Sequence, residues 1–177
     1  MKLVKTIVLA GLVLAVAGGA RAQDVKVDYD KAANFGAIKT FSLKLGTTWG
    51  NPIGEKRVVD QITGALVAKG WAVAPEGQAD AQVVLHGASE TKHSLNTYYS
   101  GMGGYRWGGM GTATTTQTEY VVGTLLVDIF DAKGKNLMWR GIAQDEASNN
   151  TEKNIKKVTK ATEKLFKDFP PGSAKKK

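Results

Sequence analysis

Only one helix signal interrupts the early and middle strands of this chain, and that spacing decides which folds are open to it. The signal runs from about Pro52 to Lys69. Asn51 is placed as N-cap, Pro52 stands at the first helical position, and Val58, Ile62, Ala65 and Leu66 fall on one face, with Gly70 positioned as a left-handed cap. Before it, Val25, Val27 and Tyr29 alternate with Lys26, Asp28 and Asp30 at the period of a half-buried strand, and a second short strand spans Ile38 to Leu43. After it come Trp71 to Val73, a turn at Pro75-Glu76-Gly77, and a strand in which Ala81, Val83 and Leu85 alternate with Gln82, Val84 and His86. Val121, Leu125, Val127 and Ile129 share a face of the next strand, which turns through Asp131-Ala132-Lys133-Gly134 and returns from Leu137 to Ala143 as a hairpin. A last helix carries Ile155, Val158, Thr162, Leu165, Phe166 and Phe169 inward and stops at Pro170-Pro171. A repeating parallel sheet needs a helix between successive strands. This order instead predicts a two-layer α+β domain, a mainly antiparallel sheet with two helices packed on one face. Two helices cannot cover both faces of five or six strands, so one face is expected to look outward, with Tyr120, Val122, Thr124 and Leu126 on it.

The first twenty-two residues set an address. Met1-Lys2-Leu3-Val4-Lys5 is basic, Ile7 to Ala17 is apolar and glycine, and Ala20-Arg21-Ala22 is a small-x-small cleavage site before Gln23. An apolar core of about eleven residues is too short to cross a bilayer, which takes about 20. The pattern predicts a cleaved secretory signal over residues 1–22, a single domain over 23–171 and a basic tail over 172–177, with the mature protein in the periplasm and no transmembrane segment in it. The chain has no cysteine, so no disulfide staples the domain and no lipobox residue is present for acylation. The formal charge of +8 falls when Lys2, Lys5 and Arg21 leave with the signal, and much of the remainder sits in Lys175-Lys176-Lys177. A folded body close to neutral lacks the basic, aromatic-laced stripe of a nucleic-acid binder, so no nucleic-acid partner is expected.

One low-complexity segment stands out, from Tyr98 to Gly111, between a strand ending near Thr91 and one starting near Thr116. Its glycines do not cradle a phosphate. The dinucleotide fingerprint leads from a strand into a helix, whereas Gly101-x-Gly103-x-x-Arg106 breaks the spacing and leads to a strand, and no Walker sequence occurs elsewhere. ATP and NAD are thereby set aside, and no cofactor is expected. Three readings of the segment remain: a mobile glycine loop, a contact surface and the rim of a ligand pocket. For the contact reading the candidate binding residues are Tyr98, Tyr99, Tyr105, Arg106 and Trp107, with Arg106 able to stack or to hold a carboxylate.

Signals for catalysis are sparse. His86 and His93 are the only histidines, and a zinc site built on them would need a carboxylate such as Glu90. No Gly-x-Ser-x-Gly elbow is present. Asp128 and Asp131 flank the hairpin turn, where Asp131 is expected to bond its own backbone.

The run Gly123-Thr124-Leu125-Leu126-Val127-Asp128-Ile129-Phe130-Asp131-Ala132-Lys133, then Leu137-x-Trp139-Arg140-Gly141, then Phe169-Pro170-Pro171, resembles the bacterial envelope family known as domain of unknown function 4136. Asp28-Tyr29-Asp30, Asn34-Phe35 and Lys39-Thr40-Phe41 match its opening, and Leu66-x-x-Lys69-Gly70-Trp71 with Ala79-Asp80 its middle. The resemblance implies an exported protein in a family often lipid-anchored, from which the missing cysteine is a departure. It carries over no activity and no catalytic residue. Read physically, its motifs are structural: Trp139 shares strand parity with Leu137 and Ala143 as a core anchor, while Gly123 and Gly141 permit close packing or a bulge. The functional expectation is a non-catalytic envelope binding module whose partner is an envelope protein or polymer. The alternative is an envelope hydrolase or metal-dependent enzyme with a site assembled from dispersed residues.

Overall fold

A computed structural model describes residues 23–100 and 112–171, the side chains at 98–100 and 112–114 excepted. Among the described residues six strands form one sheet: β1 (Asp24–Tyr29), β2 (Thr40–Thr47), β3 (Ala72–Val73), β4 (Ala81–Ser100), β5 (Thr112–Asp131) and β6 (Leu137–Glu146), in spatial order β1-β6-β5-β4-β2-β3. Pairing is antiparallel from β1 through β4, and parallel where β2 meets β4 and β3. Helices α1 (Pro52–Ala68) and α2 (Thr151–Leu165) lie on one face, giving the expected two-layer α+β domain.

The α1 boundaries follow from their end chemistry. The Asn51 side chain accepts from the Gly54 amide at 3.0 Å, Pro52 opens the helix, and Gly70 takes φ +92°, a conformation that side chains with a Cβ rarely adopt. Val58, Ile62 and Leu66 are buried beneath it. In α2 the Asn150 side chain caps the Lys153 amide. That helix ends at Leu165, so Phe166 is its cap and Phe169 lies beyond it, yet both rings are buried.

Phe169 is the hub of an aromatic core. Its ring lies 5.9 Å from Phe35, 5.1 Å from Trp71, 5.6 Å from Trp139 and 5.4 Å from Phe166, all edge to face. Trp139, 1% exposed, stacks on Phe166 at 5.2 Å. The sheet completes this layer with Ala81, Val83, Leu85, Val127 and Ile129, none of them accessible to solvent. Gly141 leaves the room that Trp139 needs: a Cβ there would stand 2.4 Å from the indole and 2.7 Å from Leu165. Gly123 has no such role, since its nearest neighbour, the Asp145 carbonyl, would be 3.9 Å away.

Three expectations of detail are corrected. β2 begins at Thr40 and runs on to Thr47, because pairing with β4 holds it past Leu43. Leu137 does not share the core face with Trp139; a register shift between Ile129 and Phe130 leaves Leu137 38% exposed and buries Met138. β1 is mostly exposed, with Val27 and Tyr29 each more than 40% accessible, because it is an edge strand with β6 on one side and no strand on the other.

Asp80 stitches the start of β2 to the start of β4. Its carboxylate accepts from the Lys39 and Thr40 amides at 3.0 Å each and from the Thr40 hydroxyl at 2.9 Å. These bonds, led by the Lys39 amide, favour the charged form and hold its pKa below the usual 3.8. With a folded pKa below the unfolded one, the stabilisation is complete above the unfolded value and is lost as pH falls through the folded value. Asp80→Asn should therefore melt lower than the parent at neutral pH, and the gap should close below about pH 4. Thermal melts from pH 7 to pH 3 measure it.

Candidate binding surface

Beyond the sheet, β4 and β5 continue alone. β2 leaves β4 at His86 and β6 leaves β5 at Val122, yet the two long strands pair on from Thr91↔Val121 to Ser100↔Thr112. Ten residue pairs thus form a two-stranded arm about 30 Å long. The expected strand ends near Thr91 and Thr116 are corrected accordingly. Threonine explains the extension: Thr97 and Thr115 bond across the ribbon at 3.1 Å, and the β-branched run Thr114-Thr115-Thr116 favours extended backbone without needing a buried face. The arm hides little apolar surface, and Leu95 is 68% exposed.

Of the candidate binding residues, Tyr98 and Tyr99 lie within β4, paired with Thr114 and Ala113, rather than in a loop. Tyr105, Arg106 and Trp107 lie outside the described residues. By connectivity they belong to the segment that joins the distal ends of the two strands.

The histidines are not brought together. Seven residues apart on one strand, they face opposite sides. His86 bonds the Thr47 hydroxyl at 2.9 Å, whereas His93 meets Gln117 at 3.1 Å and Glu119 at 3.3 Å. Among the described residues no three His, Asp or Glu side chains are grouped to hold a metal ion. Asp131 does the turn chemistry expected of it, accepting from the Lys133 and Gly134 amides. Asp128 is different. It sits on the helix-free face only 3% exposed, gripped by the Arg140 fork through two 2.7 Å bonds. The bond to Asp128 raises the guanidinium pKa further. Register places Lys44, Val84, Asp128, Arg140 and Asp28 in one row across that face, so the open surface is charged at its margins and tightly packed at its middle.

At the root of the arm, on the helix side, is a cleft of about 300 Å³ that sequence reasoning missed. Val58 from α1 and Val158 and Ala161 from α2 form one wall, and Leu125 and Ala143 from the sheet the other. Trp49 lies at its side, close against Gly87, where a Cβ would fall 1.5 Å from the indole. Glu55 fixes the turn that carries Trp49 by accepting from the Trp49 and Gly50 amides at 2.9 and 3.1 Å. The polar end holds Asp145, paired with Lys157 at 3.0 Å and bonded by the Gln23 amide, with Glu146 beside it. Both helices, three strands and the segments at Gln23 and Trp49 meet here, so no single stretch of sequence signals it. The one local trace of it in the sequence is Gly87, whose missing side chain leaves room for the Trp49 ring.

A two-layer domain with an arm and a cleft at its root is what the geometry defines. The chain belongs to the family described as domain of unknown function 4136, which matches residues 25–171. No curated protein matches the sequence. Among solved structures, a PDZ domain protein from Parabacteroides distasonis is similar at 12% identity and a TM-score of 0.52, over 86% of this chain and 37% of that one. This chain thus spans little more than a third of that protein's length. The PelC dodecamer from Paraburkholderia phytofirmans is similar at 15% identity and a TM-score of 0.46, over 81% of this chain and 97% of that one. At such identities the likeness is one of fold. No helix among the described residues is long and apolar enough to cross a membrane.

Proposed function

We propose that this protein is an exported, non-catalytic binding module of the cell envelope that uses the aromatic segment at the end of the β4–β5 arm, and the open sheet face behind it, to contact an envelope protein or polymer. The observation that carries this reading is the arm itself. Ten residue pairs extend past every neighbouring strand and add little to the core, and a long ribbon without flanking strands is the kind of feature that soluble domains normally shorten or cover. The arm's free end carries the richest cluster of tyrosine, tryptophan and methionine in the sequence. The apolar amino-terminal segment and small-x-small site support export.

The test is to replace residues 101–111 by an Asn-Gly turn, which closes a two-stranded ribbon without strain. The trimmed chain should stay within about 1 kcal/mol of the parent, because loop length changes stability only slowly. It should be processed at Gln23 and fractionate with soluble periplasmic protein, and it should lose the cross-links that the parent forms with envelope components. Full-length chain in the inner membrane would refute the address. Cross-links that survive trimming would move the contact to the sheet face around Tyr120 and Thr124.

A further inference from the structure

The chain carries an aromatic segment, Tyr105 to Trp107, and an apolar cleft that it cannot bring together by itself. Tyr105 is five residues from Ser100 and Trp107 five from Thr112, so covalent reach ties both within about 18 Å of the arm's end. Val121, at the near rim of the cleft, is nine extended residues from Thr112, about 30 Å away. A chain's own tip therefore falls short of its own cleft.

We propose that the cleft receives the Tyr105-Arg106-Trp107 segment of a second copy of this chain. The inference deepens the reading of that segment as a contact surface and rests on it. The chemistries match. The walls are aliphatic, with Val58, Leu125 and Val158, and Trp49 adds an indole to the lining that an incoming aromatic can pack on. At the polar end Asp145 is already held by Lys157 and Gln23, whereas Glu146, exposed and in no ion pair among the described residues, is open to the guanidinium of Arg106. An aromatic-cation-aromatic tripeptide entering an apolar slot with an acid at its end is the composition of an interface anchor. Tip and cleft are different surfaces, so the contact is heterologous and propagates from copy to copy into a ring or a filament.

The experiment uses sedimentation of the processed full chain at about 100 μM, where weak anchors still associate. The parent should sediment as a species of at least twice the monomer mass. Trp107→Ser removes the anchor, and Ser89→Trp fills the cleft from an exposed lining position; each alone should be monomeric. Mixed in equal amounts they retain one good tip and one good cleft between them, so the mixture should return to a dimer and grow no larger. Val121→Lys, at a rim position 39% exposed, blocks the cleft in a second way should Ser89→Trp fail to fold. A monomeric parent, or a cleft-filled variant that assembles like the parent, overturns the proposal. If the parent is monomeric but trimming still abolishes cross-links to envelope components, the contact reading stands and only self-docking falls.

Discussion

Trp139→Ala should lower the stability of the domain by about 3 to 5 kcal/mol, the cost of deleting a large buried aromatic whose surroundings collapse only in part. The indole joins both layers of the fold: it stacks on Phe166 just after α2, meets the edge of Phe169, and lies under Gly141 of its own strand. Removing it leaves Phe169 with one fewer of its four ring partners. Urea denaturation followed by circular dichroism gives the change as a shift in midpoint at constant slope. A variant that unfolds with the parent's midpoint would contradict this account of the core.

Arg140→Ala should cost about 3 kcal/mol, for a different reason. Asp128 is fixed in the middle of β5 and its side chain is 4% exposed, so truncating Arg140 takes both donors from a carboxylate that the sheet holds in place. Arg140 itself is 43% exposed and can be hydrated when Asp128 is removed, which makes the pair asymmetric. Asp128→Asn should accordingly be milder than Arg140→Ala. Arg140→Lys should recover only part of the loss, because a single ammonium cannot reproduce two parallel bonds. Urea midpoints of the three variants decide this; equal losses would contradict the asymmetry.

The contrast between these two sites shows what a sequence discloses. Trp139 was legible because alternation along β6 placed it inward and because large aromatics have few other homes. α1 was legible because Asn51, Pro52 and Gly70 mark its ends with residues whose physics is local. Asp128 was visible only as a turn neighbour, since its partner lies on the next strand and twelve residues away, in a register that a bulge near Leu137 shifts. The arm was half-missed for a related reason. Period-two alternation exists where one face of a strand is dry, and from Thr91 to Thr97 and Thr115 to Val121 no residue is buried on either face of the ribbon, so the pattern fades while the pairing does not. A run of threonines was the remaining signal. Of the candidate site, the tyrosines at 98 and 99 were placed in a loop, and the cleft, drawn from both helices and three strands, left no trace in any one segment.

Phe169 sets a timetable. β4 and β5 are neighbours in sequence and can zip as soon as both are made, but β1 pairs only with β6, and the aromatic cluster has no centre until residue 169 joins it. Contacts of such long separation come at the cost of closing nearly the whole chain, and they form late. Phe41, Ile62, Leu66, Val83, Leu85 and Val127 supply one part of the core before β6 is made. The aromatic part waits for the end of the chain, where Phe169, just past α2, closes on rings from both layers.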